Sequence, residues 1–175
     1  MAGPNRDYLL VDGYNIIFAW DELKSIALVS LEDARKRLLD ILSDFQGFSG
    51  INIFVVFDAH MVKDNVGATE YYDDLTVVFT KEFESADNYI ERCVGLFSKK
   101  HKVRVATSDS LEQIMVISRG AQRISAADLL NEVKAAKIEQ TVNYIEKRPV
   151  KRNPLFDSLD EDMKRAFEKM RRQKN

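Results

Sequence analysis

The sequence contains a single cysteine, Cys93, so the chain cannot form an internal disulfide bond. Cysteine-poor chains are typical of reducing compartments, and we therefore expect a cytoplasmic protein. No apolar run approaches the ~20 residues that cross a bilayer, and residues 1–6 hold no apolar signal segment. Internal repeats and low-complexity tracts are also lacking. With 45% hydrophobic residues, the composition predicts a globular protein with a real core and no membrane partner.

The sequence signatures of several enzyme classes are missing. No G-x-G-x-x-G follows a predicted strand and no G-x-x-x-x-G-K-[ST] occurs, which excludes the common nucleotide-binding loops. There is no G-x-S-x-G nucleophile elbow. The two histidines, His60 and His101, have no partner at metal-ligand spacing, and no H-E-x-x-H occurs. The chain therefore shows no sign of a small-molecule cofactor, a serine nucleophile or a zinc site.

Charge is distributed unevenly along the chain. The net charge is -2, but residues 147–175 hold ten Lys or Arg and five Asp or Glu, which gives this tail +5 and leaves -7 for the rest. A basic tail on an acidic body favours a polyanionic partner. The alternative is a solvated helix of mixed charge. Residues 147–154, with two prolines and four basic residues, are the best candidate for a linker.

Alternating strands and helices predict an α/β fold with a mainly parallel sheet and right-handed crossovers. Apolar runs predict strands at 7–12, 51–57, 75–79 and 102–107. Capping residues followed by helical spacing predict helices at 30–45, 85–99, 110–119, 125–148 and from 158 onward. Residues 58–74 are predicted to form a polar loop, and Gly47 and Gly50 to bracket the preceding turn. We expect one domain over 7–148, followed by a basic linker and C-terminal helix over 149–175.

Three aspartates lie at or just beyond the ends of predicted strands, and a fourth lies in the first turn of a predicted helix. Asp12, Asp58 and Asp109 end three of the strands, and Asp87 lies in the first turn of the helix from 85. Ligands bind at the carboxyl ends of strands in an open parallel sheet, so these acids are expected to share one site. Clustered carboxylates need a neutralising cation, and oxygen ligands favour Mg²⁺ or Mn²⁺. Carboxylate-held metals commonly hydrolyse phosphodiesters.

Each of these motifs taken alone also fits an ordinary turn or helix cap. The joint occurrence of the acids at equivalent positions is what favours a metal site. In the segment Asp12-Gly13-Tyr14-Asn15, Gly13 permits a tight turn and close backbone approach. Asn15 can place its amide beside the metal or a phosphate oxygen, and Tyr14 can pack or stack on a base.

A phosphatase of the haloacid-dehalogenase type is the main enzymatic alternative. Asp12 would be its nucleophile, and Thr107 or Ser108 would bind phosphate. Such an enzyme needs a second acid two residues after the nucleophile to protonate the leaving group. Tyr14 occupies that position, which argues against a phosphatase.

Five short motifs and one further segment occur in order over most of the chain. They are VDGYN at 11–15, VFDAH at 56–60, VFTKE at 78–82, ADNYIE at 86–91, TSD at 107–109 and GAQRIS at 120–125. Together they resemble the YacP-like branch of the NYN domains, which belong to the PIN-like nuclease superfamily. The resemblance implies a three-layer α/β/α fold with a Mg²⁺ or Mn²⁺ site and RNA cleavage. It implies metal ligands at Asp12, Asp87 and Asp109, and Asp58 belongs to one of the matching motifs. We expect Asp58 and Asn15 to support these ligands.

The resemblance also implies a substrate and a partner. A ribosome-associated member of this branch cuts mRNA in the ribosomal A site, so we expect an endoribonuclease that cleaves mRNA on the translating ribosome. The alternative from another class is a catalytically inactive module that binds RNA or the ribosome.

RNA must be contacted outside the negative acid cluster. The candidates are Tyr14 and the basic residues Lys63, Lys81, Arg119, Arg123, Arg148, Lys151 and Arg152. Tyr71 and Tyr72 can also stack on bases, although an adjacent aromatic pair commonly packs one ring inward.

Overall fold

The predicted strands form one sheet together with two strands that the sequence patterns do not predict. The computed structural model describes residues 7–58, 67–108 and 120–146. Within these residues the strands are β1 Asp7–Asp12, β2 Asn52–Phe57, β3 Ala68–Tyr72, β4 Leu75–Phe79, β5 Lys102–Ala106 and β6 Gln122–Ile124. Their order is β3-β4-β2-β1-β5-β6, and every neighbouring pair is parallel except β3 with β4. The predicted mainly parallel α/β fold is confirmed.

Five helices accompany the strands in the described part of the chain. They are α1 Gly13–Ala19, α2 Asp21–Ala27, α3 Leu31–Ser49, α4 Ala86–Phe97 and α5 Ala126–Glu146. Ser30, Ser85 and Ser125 precede α3, α4 and α5, as the sequence predicts. Each serine hydroxyl accepts a hydrogen bond from the backbone amide three residues later, at 3.0–3.2 Å. These bonds satisfy amides that have no partner within the helix.

Helices cover both faces of the sheet. Leu9 and Val11 of β1 face the cluster formed with α1, α2, α3 and the first part of α5, whereas Leu10 faces the cluster formed with α4. All three side chains are fully buried, which explains why β1 is a continuous apolar run. Cys93 lies buried on α4, and burial raises the pKa of its thiol. The result is the expected three-layer α/β/α arrangement.

The prediction of a polar loop through residues 58–74 is wrong for residues 68–72, which form β3. This strand pairs antiparallel with β4 and lies at the edge of the sheet. Its side chains are mostly exposed, so it lacks the apolar run that predicts a buried strand. The Tyr72 hydroxyl donates to Asp40 on α3 and ties the edge strand to that helix.

Helix α3 continues to Ser49, beyond the predicted end near Phe45, and Gly47 lies within it. Gly50 alone ends the helix, with a left-handed φ of 69°. The expected strands and helices do not include α1, α2 or the three-residue β6. These elements are short, and their periodicity is too brief to predict them.

The chain divides into two compact units between Glu139 and Gln140. The second unit is described only over 140–146, where it is helical. The predicted helix over 110–119, the linker and the helix from 158 lie outside the described residues. In the described ranges, no helix combines the length and the apolar character that a membrane span requires.

Gly13 begins α1 and lies against the ring of Phe57 at the end of β2. A Cβ atom added to Gly13 would lie 2.2 Å from a ring carbon of Phe57. Phe57 is fully buried and packs against the rings of Tyr14 and Phe79, so it has little room to move. Glycine at position 13 therefore allows α1 to pack closely on β2, which agrees with the close backbone approach that the sequence predicts.

We expect Gly13→Ala to lower the free energy of unfolding by ~1–3 kcal/mol, because overpacking of a tight core forces side chains out of their rotamers. Urea denaturation followed by circular dichroism measures the change. Gly47→Ala is the matched control: nothing lies within 4 Å of its added Cβ, and alanine inside a helix stabilises by ~0.5–1 kcal/mol. A Gly13→Ala variant as stable as the wild type would contradict the close packing.

Candidate active site

The carboxyl ends of three adjacent strands lie together along one boundary of the sheet, the carboxyl edge, which is distinct from the lateral edge formed by β3. β1 is paired in parallel with β2 on one side and with β5 on the other. Asp12 is the last residue of β1, and Asp58 directly follows β2 and is half-buried. β5 ends at Ala106 and is followed by Thr107 and Ser108. Asp109, the next residue, lies outside the described part of the chain.

Asp12 joins the end of β1 to the start of α1. Its side chain is only 8% exposed, and its Oδ1 accepts a hydrogen bond from the backbone amide of Asn15 at 3.1 Å. Asp12 is therefore the N-cap of α1. The cap interpretation and the site interpretation of this residue are compatible, because the two oxygens of a carboxylate offer about four lone-pair sites and can accept several contacts at once.

Asn15 links α1 to the segment after β5. Its Oδ1 accepts a hydrogen bond from the backbone amide of Ser108 at 2.7 Å, and the Ser108 hydroxyl donates to the same oxygen. The two residues are 93 positions apart in the sequence. Asn15 therefore positions the backbone directly before Asp109, and its carbonyl oxygen is engaged in that task.

Asp87 is the second residue of α4 and is exposed. Helix α4 packs against β1, β2 and β5, and it follows β4 after the short connection 80–85. The backbone amide of Thr80, where that connection begins, donates to the carbonyl oxygen of Phe57 at 3.0 Å. Because β4 and β2 are parallel, this connection leaves the sheet at the edge where Asp12 and Asp58 lie.

The donor chemistry of this edge fits a hard divalent cation. Short carboxylate side chains supply oxygen donors of the kind that Mg²⁺ and Mn²⁺ prefer. In residues 7–58, 67–108 and 120–146, no three His, Cys, Asp or Glu side chains form a group that could hold a metal ion. The predicted ligand set of Asp12, Asp87 and Asp109 therefore depends on Asp109 and stays a prediction.

The structure places the Tyr14 ring in the core. The residue is 7% exposed, and its ring packs edge-on against Phe57 at 5.1 Å between centroids. Its hydroxyl accepts a hydrogen bond from Arg35 Nη1 at 3.0 Å. The ring cannot stack on a base without leaving these contacts, so the packing interpretation of Tyr14 agrees with the structure and the RNA-stacking interpretation does not.

The other predicted RNA contacts divide into three groups: exposed residues, one tyrosine that packs against a helix, and residues outside the described part of the chain. Lys81 and Arg123 are exposed, and Tyr71 is 80% exposed on the edge strand. Tyr72 is turned toward α3, where the hydrogen bond to the Asp40 carboxylate raises the pKa of its hydroxyl. Outside the described residues lie Lys63, Arg119, Arg148, Lys151 and Arg152.

A groove beside the start of α4 is a feature that sequence reasoning missed. It encloses about 660 Å³ and is lined by the end of β4, the 80–85 connection, the start of β3 and the first turns of α4. Phe83 lines it and is 87% exposed. The signal in the sequence is Phe83 itself. It is the one apolar residue of the polar segment KEFES at 81–85, and it lies in no predicted strand or helix.

Comparison with known proteins agrees with this architecture. The family model described as the YacP-like NYN domain matches residues 9–172. YacP of Bacillus subtilis (strain 168) is 39% identical over 168 residues, which cover 95% of this chain and 97% of that protein.

Two crystal structures of Rae1 (YacP) from Bacillus subtilis also match. One is 38% identical with a TM-score of 0.68 and covers 95% of each chain. The other, a tryptophan-to-leucine mutant, is 34% identical with a TM-score of 0.69 and covers 94% of this chain and 99% of its own. The resemblance noted in the motifs is confirmed over nearly the whole length. The chain therefore belongs to the YacP-like NYN domain family, a nuclease-like family with an RNA-related function.

Proposed function

We propose that this protein is a divalent-metal-dependent endoribonuclease that cleaves mRNA in association with the translating ribosome, at the A site. Its metal ligands are Asp12, Asp87 and Asp109, and Asp58 and Asn15 support them. The catalytic domain extends over residues 7–148, and the basic segment 149–175 contributes to binding of the ribosome. The protein acts in the cytoplasm.

The observation that carries the proposal is the pair of hydrogen bonds from Ser108 to Asn15. They fasten the exit of β5 to the first turn of α1, which Asp12 caps. Asp109 directly follows Ser108 in the sequence, so the last described residue before one proposed ligand is held next to the element that carries another. This supports convergence of acids that the sequence places almost a hundred residues apart.

A bound Mg²⁺ or Mn²⁺ would supply Lewis-acid activation of water and neutralisation of the charge on the scissile phosphate. Asp12, at the end of a buried central strand, offers a rigid carboxylate because both the strand and the helix it caps fix its backbone. Asn15 holds Ser108, the last described residue before the proposed ligand Asp109. No side-chain nucleophile is required for hydrolysis of this kind.

The burial of Thr107 and the hydrogen bond of Ser108 argue against the phosphatase alternative. Thr107 is fully buried, and the hydroxyl of Ser108 donates to Asn15. The two side chains that a phosphatase would use to bind phosphate are therefore engaged within the protein. Release of inorganic phosphate from simple phosphate esters, with RNA left intact, would favour the phosphatase instead.

Asp12→Asn is expected to abolish mRNA cleavage, at least ~100-fold below wild type, because it removes a carboxylate from the proposed metal site. Asparagine is also a good N-cap, so α1 and the fold should be retained. Ribosomes translating a defined mRNA are incubated with each protein, with and without chelator, and new 5′ ends are mapped. Asp109→Asn should behave in the same way.

Asp7→Asn is the matched control, since Asp7 begins the same strand at the opposite edge of the sheet. It should cleave like the wild type. Chelator-insensitive cleavage by the wild type, or full activity of Asp12→Asn, would contradict the metal mechanism. An inactive wild type that still binds ribosomes would favour the binding-module alternative.

Asn15→Ala is expected to lower the single-turnover cleavage rate by ~10–100-fold, the usual effect of losing a group that orients a metal ligand. The Mg²⁺ concentration that gives half-maximal rate should rise, which a purely structural role would not produce. Ser108→Ala should have a smaller effect, because the backbone amide still donates to Asn15. Asn52→Ala, which loses a hydrogen bond at the opposite edge of the sheet, should leave the Mg²⁺ dependence unchanged.

Neutralising Arg148, Lys151 and Arg152 together is expected to weaken co-sedimentation with ribosomes, most strongly at low salt. Each lost phosphate contact should reduce the log–log salt slope by about 0.9 for duplex and 0.7 for single-stranded nucleic acid. Cleavage of a short RNA at saturating concentration should survive, because the proposed metal ligands are unchanged. A triple variant with the wild-type salt slope would assign the tail a purely structural role.

A further inference from the structure

Phe83 is exposed to a degree that is unusual for its type. It is 87% exposed, whereas the other aromatic residues near this edge are half-buried, as Phe79 and Tyr89 are, or nearly or fully buried, as Tyr14 and Phe57 are. It lies in the 80–85 connection between β4 and α4. Asp87, a proposed metal ligand, is only four residues further along the chain. A large apolar side chain that the core does not use is therefore displayed beside the proposed catalytic edge.

The backbone at Phe83 is also in a conformation that disfavours phenylalanine. Residues 81–84 form a turn in which the amide of Glu84 donates to the carbonyl oxygen of Lys81 at 3.0 Å. Phe83 is the third residue of this turn and has a φ of 67°. That position normally takes glycine or asparagine, because a Cβ atom is strained there. Strained residues of this kind concentrate at functional sites.

The turn is anchored on both sides, so the backbone that carries the ring is held in place. The amide of Thr80 donates to the carbonyl oxygen of Phe57 at 3.0 Å. Beyond the turn, the carboxylate of Glu84 lies 2.5 Å from Arg92 Nη1, and the Arg92 guanidinium lies 5.0 Å from the ring centroid of Tyr89. A ring on an anchored turn loses little conformational entropy when a flat ligand stacks on it.

The groove beside Phe83 has a mixed lining. Charged and polar residues contribute one part of it, namely Lys81, Glu82, Glu84, Asn88 and Arg92, and apolar or aromatic residues contribute the other, namely Ala68, Val78, Phe79 and Tyr89. Glu84 is neutralised by Arg92. Lys81 is exposed and lies two residues from the ring. One exposed aromatic ring with a cationic residue two positions away along the chain suits a nucleotide contact, whereas the core of a protein interface needs a larger apolar patch.

We propose that Phe83 stacks on an unpaired base of single-stranded RNA adjacent to the scissile phosphate, while Lys81 contacts a neighbouring phosphate. The proposal deepens the function above and rests on it: it names the 80–85 turn as the element that distinguishes unpaired from paired RNA. Paired bases in a duplex are covered by their neighbours and are not available to the ring. Phe83 therefore discriminates against double-stranded RNA.

The test compares binding of a fluorescent single-stranded RNA oligonucleotide and of its duplex, by anisotropy, in the presence of chelator so that no cleavage occurs. Phe83→Ala should weaken single-strand binding by about 5- to 150-fold, the range that corresponds to stacking of one base. The log–log salt slope should not change, since no phosphate contact is lost. Lys81→Gln should instead reduce that slope by about 0.7.

Two further variants separate stacking from folding. Phe83→Gly should weaken RNA binding as much as Phe83→Ala, yet raise the unfolding midpoint, because glycine adopts a positive φ without strain. Phe83→Tyr should retain binding. Leu28→Ala is the matched control: Leu28 is an apolar residue with 84% exposure on the connection between α2 and α3, and its loss should leave RNA binding unchanged.

These measurements distinguish base stacking by Phe83 from a protein contact, and both from a failure of the proposed function. Wild-type affinity of Phe83→Gly for single-stranded RNA, or equal losses for single strand and duplex, would overturn base stacking. Normal RNA binding combined with weaker co-sedimentation with ribosomes would assign Phe83 to a protein contact and also overturn it. If the wild type binds single-stranded RNA through Phe83 but never cleaves translated mRNA, the proposed function fails while the stacking site remains.

Discussion

The parallel pairing of β1 with β2 and with β5 is the interaction on which the rest of the structure depends. Its register aligns Asp12 with Val56 on one side and Val11 with Ala106 on the other. A slip of one residue would turn Leu9 and Val11 toward the opposite helix layer. Because helices cover both faces, such a slip has a large cost in apolar burial. The same apolar contacts therefore fix where the polar side chains leave the sheet.

Local and long-range requirements meet in one short segment. Asp12 begins α1 by accepting from the amide of Asn15, and Asn15 uses its side chain to hold Ser108. Buried or half-buried polar groups are stabilised when they form a connected set of hydrogen bonds, and are destabilising when one member is missing. The close packing of Phe57 on Gly13 places α1 where Asn15 can reach the β5 exit. Three neighbouring residues therefore combine these tasks: Asp12 caps the helix, Gly13 allows the close core packing, and Asn15 holds the exit of β5.

Two kinds of RNA contact are combined in the proposed mechanism, and they respond differently to solution conditions. Contacts between basic side chains and phosphates weaken as the salt concentration rises, because counterions released into a more concentrated solution gain less entropy. Stacking on Phe83 depends little on salt. The body of the protein is acidic, with a formal charge of -7 outside residues 147–175. Binding to free RNA through charge alone is then weak. An aromatic platform next to the cut site and a separate basic tail would let location on a larger ribonucleoprotein select the substrate.

Much of the fold was predictable because its strongest signals are local. The strands β1, β2 and β4 are mainly apolar and β-branched, β5 alternates charged and apolar residues before its apolar end, and serine caps mark the starts of α3, α4 and α5. Elements that lack such signals were not predicted. The edge strand β3 exists because β4 offers it a hydrogen-bonding partner, and α1 exists because Asp12 caps it and Phe57 packs on Gly13.

The candidate site divides in the same way between sequence and tertiary structure. The sequence by itself determined that acids follow the ends of parallel strands, because strand direction and residue type are enough to infer a shared edge. It also determined the family, through motifs in order along the chain. Only the tertiary structure decided that Tyr14 is a core residue, that Asn15 binds Ser108, and that Phe83 is displayed on a strained turn. Those properties arise from contacts between residues distant in sequence and from backbone angles, neither of which residue type or spacing encodes.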